Sequence, residues 1–471
     1  MESNEKQSIS ISKKSFITSV TILLILMITA YTLTFILDKG IYVDGVYSIA
    51  EGDNLSVLKL FFAPFLQFGS DGSSTLILII GLIIVIGGVF TALDRSGVMK
   101  YMLDRIVVRF KPHKYLLLSL ISLFFMIMGS TIGMFEECVP LVPIAVMLSY
   151  ALGWDAVVGI SVSLLSVALG FSSGVFNPFT VGVAQSYSDK LTLFSGFPMR
   201  MLTFVIVYTV LLLFLLPYAK KIDKNPELSP VFHEDLKIKS NLNISLDFER
   251  DKFKDRALIW FAASMGLMVL FVTLAIFIRS LTDYIMYVII LLYVVAGLGA
   301  VILSKMGGRE IVKNISAGII AVLPAVLMIM LAGSIKYILS EGLVLDTIIY
   351  KLVNSVSNAP KPIAVLIIYL VILTLNFLIP SGSAKAALIM PVIYPLVDAI
   401  GIHHQTAVLA FAYGDGFSNV IYPTNPVLLI ALGLTTVSYV KWFRWSVKVQ
   451  AVILFVTAAL LIFADRIVYP V

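Results

Sequence analysis

The chain contains several uninterrupted apolar runs of about 20 residues, beginning with 16–37 and 75–93. A helix needs roughly 20 apolar residues to cross the hydrocarbon core of a bilayer. A transmembrane barrel would instead show segments of about 10 residues that alternate between apolar and polar positions. These runs are apolar on both faces, so the sequence predicts an all-α polytopic membrane protein that is solvated by the lipid bilayer.

The composition agrees with this prediction and excludes several other classes of protein. Hydrophobic residues make up 59% of the chain and charged residues only 13%, which is far from the balance of a soluble domain. The net charge of +6 does not indicate nucleic-acid binding, because the basic residues gather in short loops between apolar runs. With Cys138 as the only cysteine, no internal disulfide can form.

The distribution of charge predicts the orientation in a bacterial inner membrane. Lys13 and Lys14 precede the first apolar run, and the segment after it, 38–53, is acidic. Basic residues mark the cytoplasmic side, so we expect a cytoplasmic N-terminus, with the basic loops 105–114 and 305–313 on the same side. The first run is too long for a signal-peptide core and lacks a cleavage site, so we expect this helix to remain.

A single long hydrophilic insert, 220–256, divides the chain. We interpret it as a cytoplasmic linker between a first transmembrane repeat with the N-terminal helix, 1–219, and a second transmembrane repeat, 257–471. A solvated connection is the simpler reading of this linker, and a regulatory or partner-binding role is the alternative.

The two halves share glycine, proline and asparagine residues at an offset of 248 positions. The matches are Pro143 with Pro391, Gly153 with Gly401, Asn177 with Asn425, and Pro178 with Pro426. If the intervening spans alternate, the matching spans enter from opposite sides of the membrane. The sequence therefore predicts two inverted repeats, an architecture of many secondary transporters.

Four segments interrupt the apolar pattern. Segments 129–140 and 376–385 carry glycines, prolines and ionisable residues, with too few residues around them for two full crossings, so we predict a re-entrant hairpin in each half. Segments 170–178 and 414–426 predict a discontinuous transmembrane helix in each half. Broken helices expose backbone groups that are tolerated at membrane depth only inside protein or around a hydrated cavity. We expect the four elements to meet at one central site.

Each of these residues also has a plainer interpretation. The glycine pairs Gly129/Gly133 and Gly170/Gly174 have the spacing that lets helices approach closely, which explains them by packing alone. Ionisable residues inside the membrane are candidates for function, namely Glu136, Glu137, Lys385 and Asp415. A structural ion pair is the alternative for them. His403 and His404 fit an interfacial position, and we assign them no metal.

The broken segments resemble those of the C4-dicarboxylate anaerobic carrier-like family, specifically its YfcC-type branch of basic amino acid antiporters. The resemblance covers nearly the whole chain. Its most specific parts are residues 133–137 (GMFEE), 176–179 (FNPF) followed by Gln185, 379–383 (IPSGS), and 414–419 (GDGFSN) leading to 422–424 (YPT).

The resemblance implies two inverted repeats, alternating access and a substrate or ion site at matching positions. The candidate site residues are Glu136, Glu137, Asn177, Ser381, Gly382, Ser383, Lys385, Asp415, Asn419, Thr424 and Asn425. It also implies coupling to Na⁺ or H⁺ without any other cofactor, with Na⁺ expected near Asn177, Ser381, Ser383 and Asn425. Relatives in the wider superfamily suggest a homodimer.

Lys385 departs from the uncharged residue, often Gln, that we expect after the Ser-Gly-Ser element. It neutralises a carboxylate or receives a carboxylate of the substrate. With Glu136, Glu137 and Asp415 ionised, the site carries a charge of about −2. We therefore expect a small charged substrate, with an arginine- or ornithine-like amino acid antiporter preferred. A Na⁺- or H⁺-coupled carrier of C4-dicarboxylates or other small carboxylates is the alternative.

Other functional classes fit the sequence less well. His233-Glu234 is followed by Lys237 where a zinc protease needs its second histidine, and Asp415 has no evident second catalytic aspartate. The chain has no Walker sequence, so we do not expect ATP to drive transport from within it. We predict that the chain is not an enzyme; a channel remains an alternative that coupled flux would discriminate.

Overall fold

The computed structural model describes residues 13–43, 46–70, 73–240, 250–278, 281, 284–354, 356 and 359–470. Two parts of the sequence predictions, the polar stretch before residue 13 and linker positions 241–249, lie outside the described residues.

The first half of the chain is almost entirely helical. Its α-helices are α1 Lys13–Ile36, α2 Val57–Leu66, α3 Ser73–Arg95, α4 Val98–Phe110, α5 Lys114–Ile127, α6 Val142–Ala151, α7 Ala156–Ile160, α8 Ser166–Ser173, α9 Val183–Ser186, α10 Phe197–Lys224 and α11 Phe232–Lys239. Wider π turns at Met128–Ile132, Ser161–Leu165 and Pro178–Gly182, and tighter 3₁₀ turns at Gln67–Gly69, Lys111–His113, Glu136–Leu141 and Pro226–Leu228, connect or extend them.

The second half is also almost entirely helical. Its α-helices are α12 Lys252–Phe277, α13 Ile285–Leu303, α14 Gly308–Glu341, α15 Leu345–Asn354, α16 Lys361–Leu378, α17 Gly382–Ile400, α18 His404–Gly416, α19 Pro426–Gly433 and α20 Tyr439–Phe463. A 3₁₀ turn follows α18 at Phe417–Val420, and a π turn follows α20 at Ala464–Val468.

Ten helical segments among the described residues are long and apolar enough to cross a membrane, which confirms the all-α polytopic fold. A short antiparallel hairpin, β1 Gly40–Val43 and β2 Val46–Ile49, is an addition that the sequence analysis did not contain. The most apolar stretch of the segment Ala156–Ser186 is completely buried inside the protein, whereas that of most other spans is less than two-thirds buried. The first predicted broken helix therefore lies at the centre of the bundle.

The helix ends gather into two groups at opposite ends of the bundle. At one end, Arg105 pairs with Asp255 at 3.1 Å, and Lys305 lies 3.7 Å from the ring centre of Phe253. We call this the linker end, because Asp255 lies at the close of the hydrophilic insert. The basic loops 105–114 and 305–313 both lie there, as the charge pattern predicts for loops on one side of a membrane.

The opposite end, here called the far end, holds the last turn of α14. Lys59 pairs with Glu341 at 2.7 Å, and the backbone N–H of Gly40 donates to the carbonyl of Leu343 at 2.8 Å. The acidic segment after α1 lies at this end.

The segment around the first predicted hairpin starts and ends at the linker end, and the segment around the second ends at the far end. Lys114, at the start of α5, pairs with Asp223 and donates to the carbonyl of Leu152, just after α6, at 3.4 Å, so both ends of 114–152 lie at the linker end. In the second half, Asp398 near the end of α17 pairs with Lys190 at 2.6 Å. That contact lies at the far end, because residue 190 follows the central segment that begins at the linker end.

Part of the predicted linker packs against the bundle. Helix α11 presents Asp235 to the turns at 150–156 and 436, and Asp235 is only 1% exposed. Glu234 pairs with Lys441 at the start of α20 at 2.6 Å. The hydrophilic composition of 220–256 therefore does not make this part of the linker a purely solvated connection.

Two glycines let α5 and α8 touch along their backbones. A Cβ atom at Gly170 would lie 2.0 Å from the carbonyl oxygen of Met126, and one at Gly129 would lie 2.2 Å from that of Val167. Neither neighbour can move away, because both are backbone atoms of packed helices. This contact supports the packing interpretation for Gly129 and Gly170.

We predict that Gly170→Ala lowers the free energy of unfolding by about 1–3 kcal/mol, because the new methyl group overpacks this contact. Thermal unfolding of the purified protein in detergent measures the change. Gly266→Ala in α12 is the matched control, since nothing lies within 4 Å of a Cβ there. The control should be neutral or stabilised by up to about 1 kcal/mol. Equal unfolding temperatures for the two variants would contradict the close contact.

Candidate substrate and ion site

The loop between α5 and α6, residues 133–141, is here called tip 1. Gly133 adopts the left-handed conformation, with φ of +75°, and ends the helical path that began with α5. Glu136 and Glu137 follow at once in a 3₁₀ turn. A carboxylate oxygen of Glu137 accepts a hydrogen bond from the backbone N–H of Phe135 at 2.9 Å. Neither glutamate forms an ion pair with any residue that the structure describes.

Residues 174–177 form the break in the first discontinuous helix, here called break 1. Gly174 ends α8 in the left-handed conformation, and Pro178 begins the next helical turn. Asn177 is fully buried, and its side-chain oxygen accepts from the N–H groups of Phe179 and Thr180 at 3.0 and 3.3 Å. Its amide nitrogen donates to the carbonyl of Phe171 at 3.1 Å. One side chain thus satisfies backbone groups of both helix halves.

The loop between α16 and α17, residues 379–383, is here called tip 2. Helix α16 ends at Leu378, and Ser381 lies at the N-cap of α17 without a side-chain capping bond. Ser381 and Ser383 are exposed, and Gly382 is partly buried. Two residues further along α17, Lys385 points inward and is 0% exposed.

Residues 417–425 form the break in the second discontinuous helix, here called break 2. Helix α18 ends at Gly416 and α19 begins at Pro426. The side-chain oxygen of Asn425 accepts from the N–H groups of Val427 and Leu428 at 3.0 and 3.3 Å, as Asn177 does at break 1. Thr424 is buried, and its hydroxyl has no hydrogen-bond partner among the described residues.

Lys385 joins tip 2 to break 2. Its ammonium lies 2.8 Å from a carboxylate oxygen of Asp415, and it donates to the carbonyl of Ile379 at 2.9 Å and to the side-chain oxygen of Asn376. The contact with Asp415 is an ion pair without hydrogen-bond alignment, so neither carboxylate oxygen accepts a hydrogen bond from the described residues. Both charged side chains are completely buried.

An amide network continues from this ion pair to α19. The amide nitrogen of Asn376 donates to Ser418 Oγ and to Asn419 Oδ1, both at 2.8 Å. Asn425 donates to the same oxygen of Asn419 at 3.0 Å. The network therefore connects Lys385 with the N-terminus of the second half-helix, where the helix dipole is positive.

Both tips meet the helical turn that follows break 1. A Cβ atom at Gly133 of tip 1 would lie 2.6 Å from Asn177 Oδ1. A Cβ atom at Gly382 of tip 2 would lie 2.8 Å from Asp415 Oδ2 and 3.0 Å from the methyl carbon of Thr180. The absence of side chains at these two glycines therefore allows four segments to converge.

The structure brings part of the predicted site together. Lys385, Asp415, Asn419 and Asn425 share one network, and Gly382 touches it. Glu136 and Glu137 have no contact with Lys385. The sequence analysis missed three residues that belong to the site by their positions, namely Asn376, Ser418 and Thr180. Asn376 and Ser418 lie inside the segments it singled out, while the buried, unpartnered hydroxyl of Thr180 had no sequence signal.

Among the described residues, no three His, Cys, Asp or Glu side chains lie close enough together to hold a metal ion. The oxygen atoms at this site come instead from amides, hydroxyls and backbone carbonyls, with isolated carboxylates. Such donors suit a hard monovalent cation or an ammonium group better than a transition metal.

Nearly the whole chain matches a known family of membrane carriers. The model of the C4-dicarboxylate anaerobic carrier family matches residues 16–465. A protein of Escherichia coli (strain K12) named "Putative basic amino acid antiporter YfcC" is 28% identical over 400 residues, which cover 83% of this chain and 78% of that protein. An uncharacterized protein of Haemophilus influenzae is 24% identical over 433 residues, covering 91% of this chain and 82% of that one.

Solved transporter structures resemble the chain more distantly. The YdaH transporter of Alcanivorax borkumensis aligns with a TM-score of 0.44 at 15% identity, covering 96% of this chain and 99% of its own. The MtrF efflux pump of Neisseria gonorrhoeae aligns with a TM-score of 0.43 at 14% identity, covering 95% of each chain.

We predict that Lys385→Met lowers the free energy of unfolding by about 3–5 kcal/mol, because it leaves the buried Asp415 carboxylate without its partner. Adding Asp415→Asn removes that charge and should restore most of the loss. Thermal unfolding of the two variants in detergent measures both effects.

Lys59→Met is the matched control for that cycle, since the Lys59–Glu341 pair is exposed and should contribute less than about 1 kcal/mol. If Lys385→Met and Lys59→Met unfold alike, the buried ion pair does not hold tip 2 against break 2.

Proposed function

Because the chain belongs to the C4-dicarboxylate anaerobic carrier family, it is a transporter, and we propose that it is a secondary active antiporter of basic amino acids such as arginine and ornithine. This proposal concerns the substrate and the exchange mode; the transporter class itself follows from the family.

One observation carries the proposal. The buried Lys385 is already paired with Asp415, whereas Glu136 and Glu137 at tip 1 have no basic partner in the described part of the chain. Glu137 is buried and Glu136 is partly buried; removing a carboxylate from water without a partner is costly, and a bound cation relieves that cost. A substrate with a cationic side chain would supply the missing charge.

The amino acid backbone of the substrate would use the helix breaks. The Lys385 ammonium already donates to two oxygen atoms of the protein and pairs with the Asp415 carboxylate, so we do not assign it to the substrate carboxylate. The N-termini of the half-helices after Asn177 and Asn425 offer a positive dipole instead. The name of the Escherichia coli relative, a basic amino acid antiporter, is in keeping with this arrangement.

We propose that the halves 1–219 and 257–471 are inverted repeats that provide alternating access. Segment 114–152 starts and ends at the linker end, and the end of its counterpart, Asp398, contacts Lys190 at the far end. Gly153 and Gly401 share positive φ angles of +93° and +75°, and Asn177 and Asn425 cap equivalent half-helices. These features support two hairpins that enter from opposite ends.

The proposal also covers the scaffold, the oligomeric state, the membrane and the source of energy. The scaffold would include α1 and α12, while the hairpins and broken helices move against it. We propose a homodimer in a bacterial inner membrane with the N-terminus and the 220–256 linker in the cytoplasm. An ion or solute gradient would supply the energy, through Na⁺ or H⁺ coupling or through exchange.

The second candidate is a carrier of C4-dicarboxylates, which the description of the matching family favours. A dianion next to Glu136 and Glu137 would need bound Na⁺ or protons to offset electrostatic repulsion. The two candidates therefore differ in the charge of the substrate and in the need for a cation gradient.

We predict that proteoliposomes preloaded with ornithine take up labelled arginine, and that Glu137→Gln lowers this uptake at least about tenfold, since the lost contact is to a charged group. The substitution keeps the size of the side chain and removes its negative charge. Initial uptake rates with and without internal ornithine measure the effect.

Glu227→Gln is the matched control, because Glu227 is exposed in the linker, and it should exchange arginine like the wild type. Succinate uptake driven by a Na⁺ gradient is measured in parallel. Sodium-driven succinate uptake without arginine exchange would overturn the amino acid proposal in favour of the dicarboxylate carrier.

A further inference from the structure

The surroundings of the Lys385 ammonium have the composition of a small-cation site. Its neighbours are the carbonyl oxygen of Ile379, the amide oxygen of Asn376 and a carboxylate oxygen of Asp415. Carbonyl, amide and carboxylate oxygens are the ligands that hard cations take in proteins. The ammonium donates to the first two oxygens and forms an ion pair with the third, so it already occupies the position that a small cation would take.

The ammonium stabilises two helix ends. Its neighbours are the backbone at the end of α16 and the Asp415 carboxylate in the last turn of α18, just before break 2. The carbonyl of Ile379 follows the end of α16 and would otherwise lack a helical partner. Asn376 passes the contact on to Asn419 at break 2. A positive charge at this point holds tip 2 and the second broken helix together, which is the task of a bound coupling ion in a carrier with such breaks.

The matching position in the first half carries the opposite charge. Glu137 precedes Lys385 by 248 residues, the offset at which Asn177 matches Asn425. The two tips therefore differ at one equivalent place, where the first presents a carboxylate and the second an ammonium. Tip 2 has a cation beside it in α17, whereas the described residues around tip 1 supply no basic partner.

We propose that the Lys385 ammonium is a covalently attached replacement for a coupling cation, so that the second half of the carrier binds no Na⁺ during transport. This inference deepens the proposed exchange function, because a carrier whose cation never leaves takes no energy from a Na⁺ gradient at that site. The substrate charge is then balanced at tip 1 alone.

The test uses unfolding temperature, which does not depend on the identity of the substrate. Lys385→Ala opens a space beside Asp415, and we expect 100 mM methylammonium or NaCl to raise its unfolding temperature by about 2 °C or more over choline chloride. The wild type and Lys59→Ala should show no such difference between salts. The double variant Lys385→Ala with Asp415→Asn should lose the response, because the carboxylate that binds the cation is gone.

A Lys385→Ala protein that unfolds at the same temperature in all three salts, or that folds in none of them, would overturn the proposal. A protein that folds only with methylammonium or Na⁺ would support it. If arginine exchange fails in the wild type while the salt response of Lys385→Ala is present, the substrate proposal is wrong and the cation proposal stands.

A second inference concerns helix α11 and rests on different contacts. At the far end, the two halves meet directly through Ser188 and His404, whose side chains lie 2.6 Å apart, and His404 is held by Asp398 at 2.9 Å. The positions 248 residues away from these three are Thr436, Ala156 and Tyr150, and they lie together at the linker end.

At the linker end, the halves touch through the hydroxyls of Tyr150 and Thr436 at 3.2 Å, and a residue from outside both halves binds these two groups together. Alanine at 156 has no group that could reach Thr436 as His404 reaches Ser188. Asp235 of α11 fills this place: it accepts from Thr436 Oγ1 at 2.5 Å, from Tyr150 OH at 2.8 Å and from the backbone N–H of Ala156 at 2.9 Å. The same turn is tied to Ser229 through Asp155 at 2.6 Å.

We infer that α11 is a removable gate that closes the linker end, opposite the direct contact at the far end. Both ends are joined in this structure, and the central residues Asn177, Lys385 and Asp415 are 0% exposed. Alternating access requires one end to open at a time, and the linker-end contact is the one that a separate segment can release.

The rate at which a maleimide alkylates the single cysteine, Cys138, measures the opening of this gate. Cys138 is buried in tip 1, which belongs to the segment that starts at the linker end and packs against α19, the linker-side half of the second broken helix. We expect Asp235→Ala to raise the rate of Cys138 alkylation by a maleimide at least fivefold. Asp235→Asn keeps the oxygen that accepts from Thr436 and Tyr150 but turns an NH2 group towards the N–H of Ala156, so its rate should lie between those of the wild type and Asp235→Ala. His233→Ala, an exposed position on the same helix, should leave the rate unchanged.

An unchanged alkylation rate in Asp235→Ala would overturn the gate, and so would an equal increase in His233→Ala. Unfolding temperatures of the variants, measured alongside, separate local opening from loss of the fold. A faster reaction in a variant that unfolds like the wild type supports the gate, whereas a faster reaction that only accompanies a lower unfolding temperature overturns it.

Discussion

The structure depends on how backbone groups are satisfied where helices break inside an apolar bundle. Lipid and packed side chains offer no hydrogen bonds, so every N–H and C=O released at a break needs a partner from the protein. Asn177 and Asn425 cap the two outgoing half-helices, and Lys385 takes the carbonyl at the end of α16. These three side chains make the breaks stable, and the glycines at the tips let other segments approach them. The arrangement places polar and charged groups inside an otherwise apolar bundle, where we propose that the substrate binds.

The surroundings of the two tips differ in charge, and the proposed charge of the substrate rests on this difference. At tip 2 a buried ammonium and a buried carboxylate neutralise each other within an amide network. At tip 1 two adjacent carboxylates have no basic partner among the described residues. A carrier with one tip already balanced and the other still acidic is suited to a cationic substrate. The linker helix adds a separate contribution, since Asp235 accepts hydrogen bonds from both halves beside their own contact between Tyr150 and Thr436.

Much of the fold follows from the sequence, because long apolar runs, charged loops and Gly/Pro punctuation have few structural solutions in a membrane. The same physics located the four interrupted segments and named Lys385, Asp415 and both asparagine caps. The partners of these residues could not be predicted in the same way, because pairings such as Asn376 with Asn419 depend on how distant segments pack. Asp235 is the clearest example of a contact that the sequence does not predict. A charged residue in a hydrophilic insert is expected to be solvated, yet Asp235 is buried and accepts hydrogen bonds from three separate residues of the bundle.

Equilibrium binding of labelled arginine to the purified protein in detergent tests the central claim most directly, namely that the unpaired carboxylates at tip 1 bind a cationic substrate. The account predicts saturable binding of arginine that excess ornithine displaces, that succinate does not displace, and that Glu136→Gln or Glu137→Gln weakens. Binding of succinate that arginine cannot displace, with both glutamine variants unaffected, would contradict it.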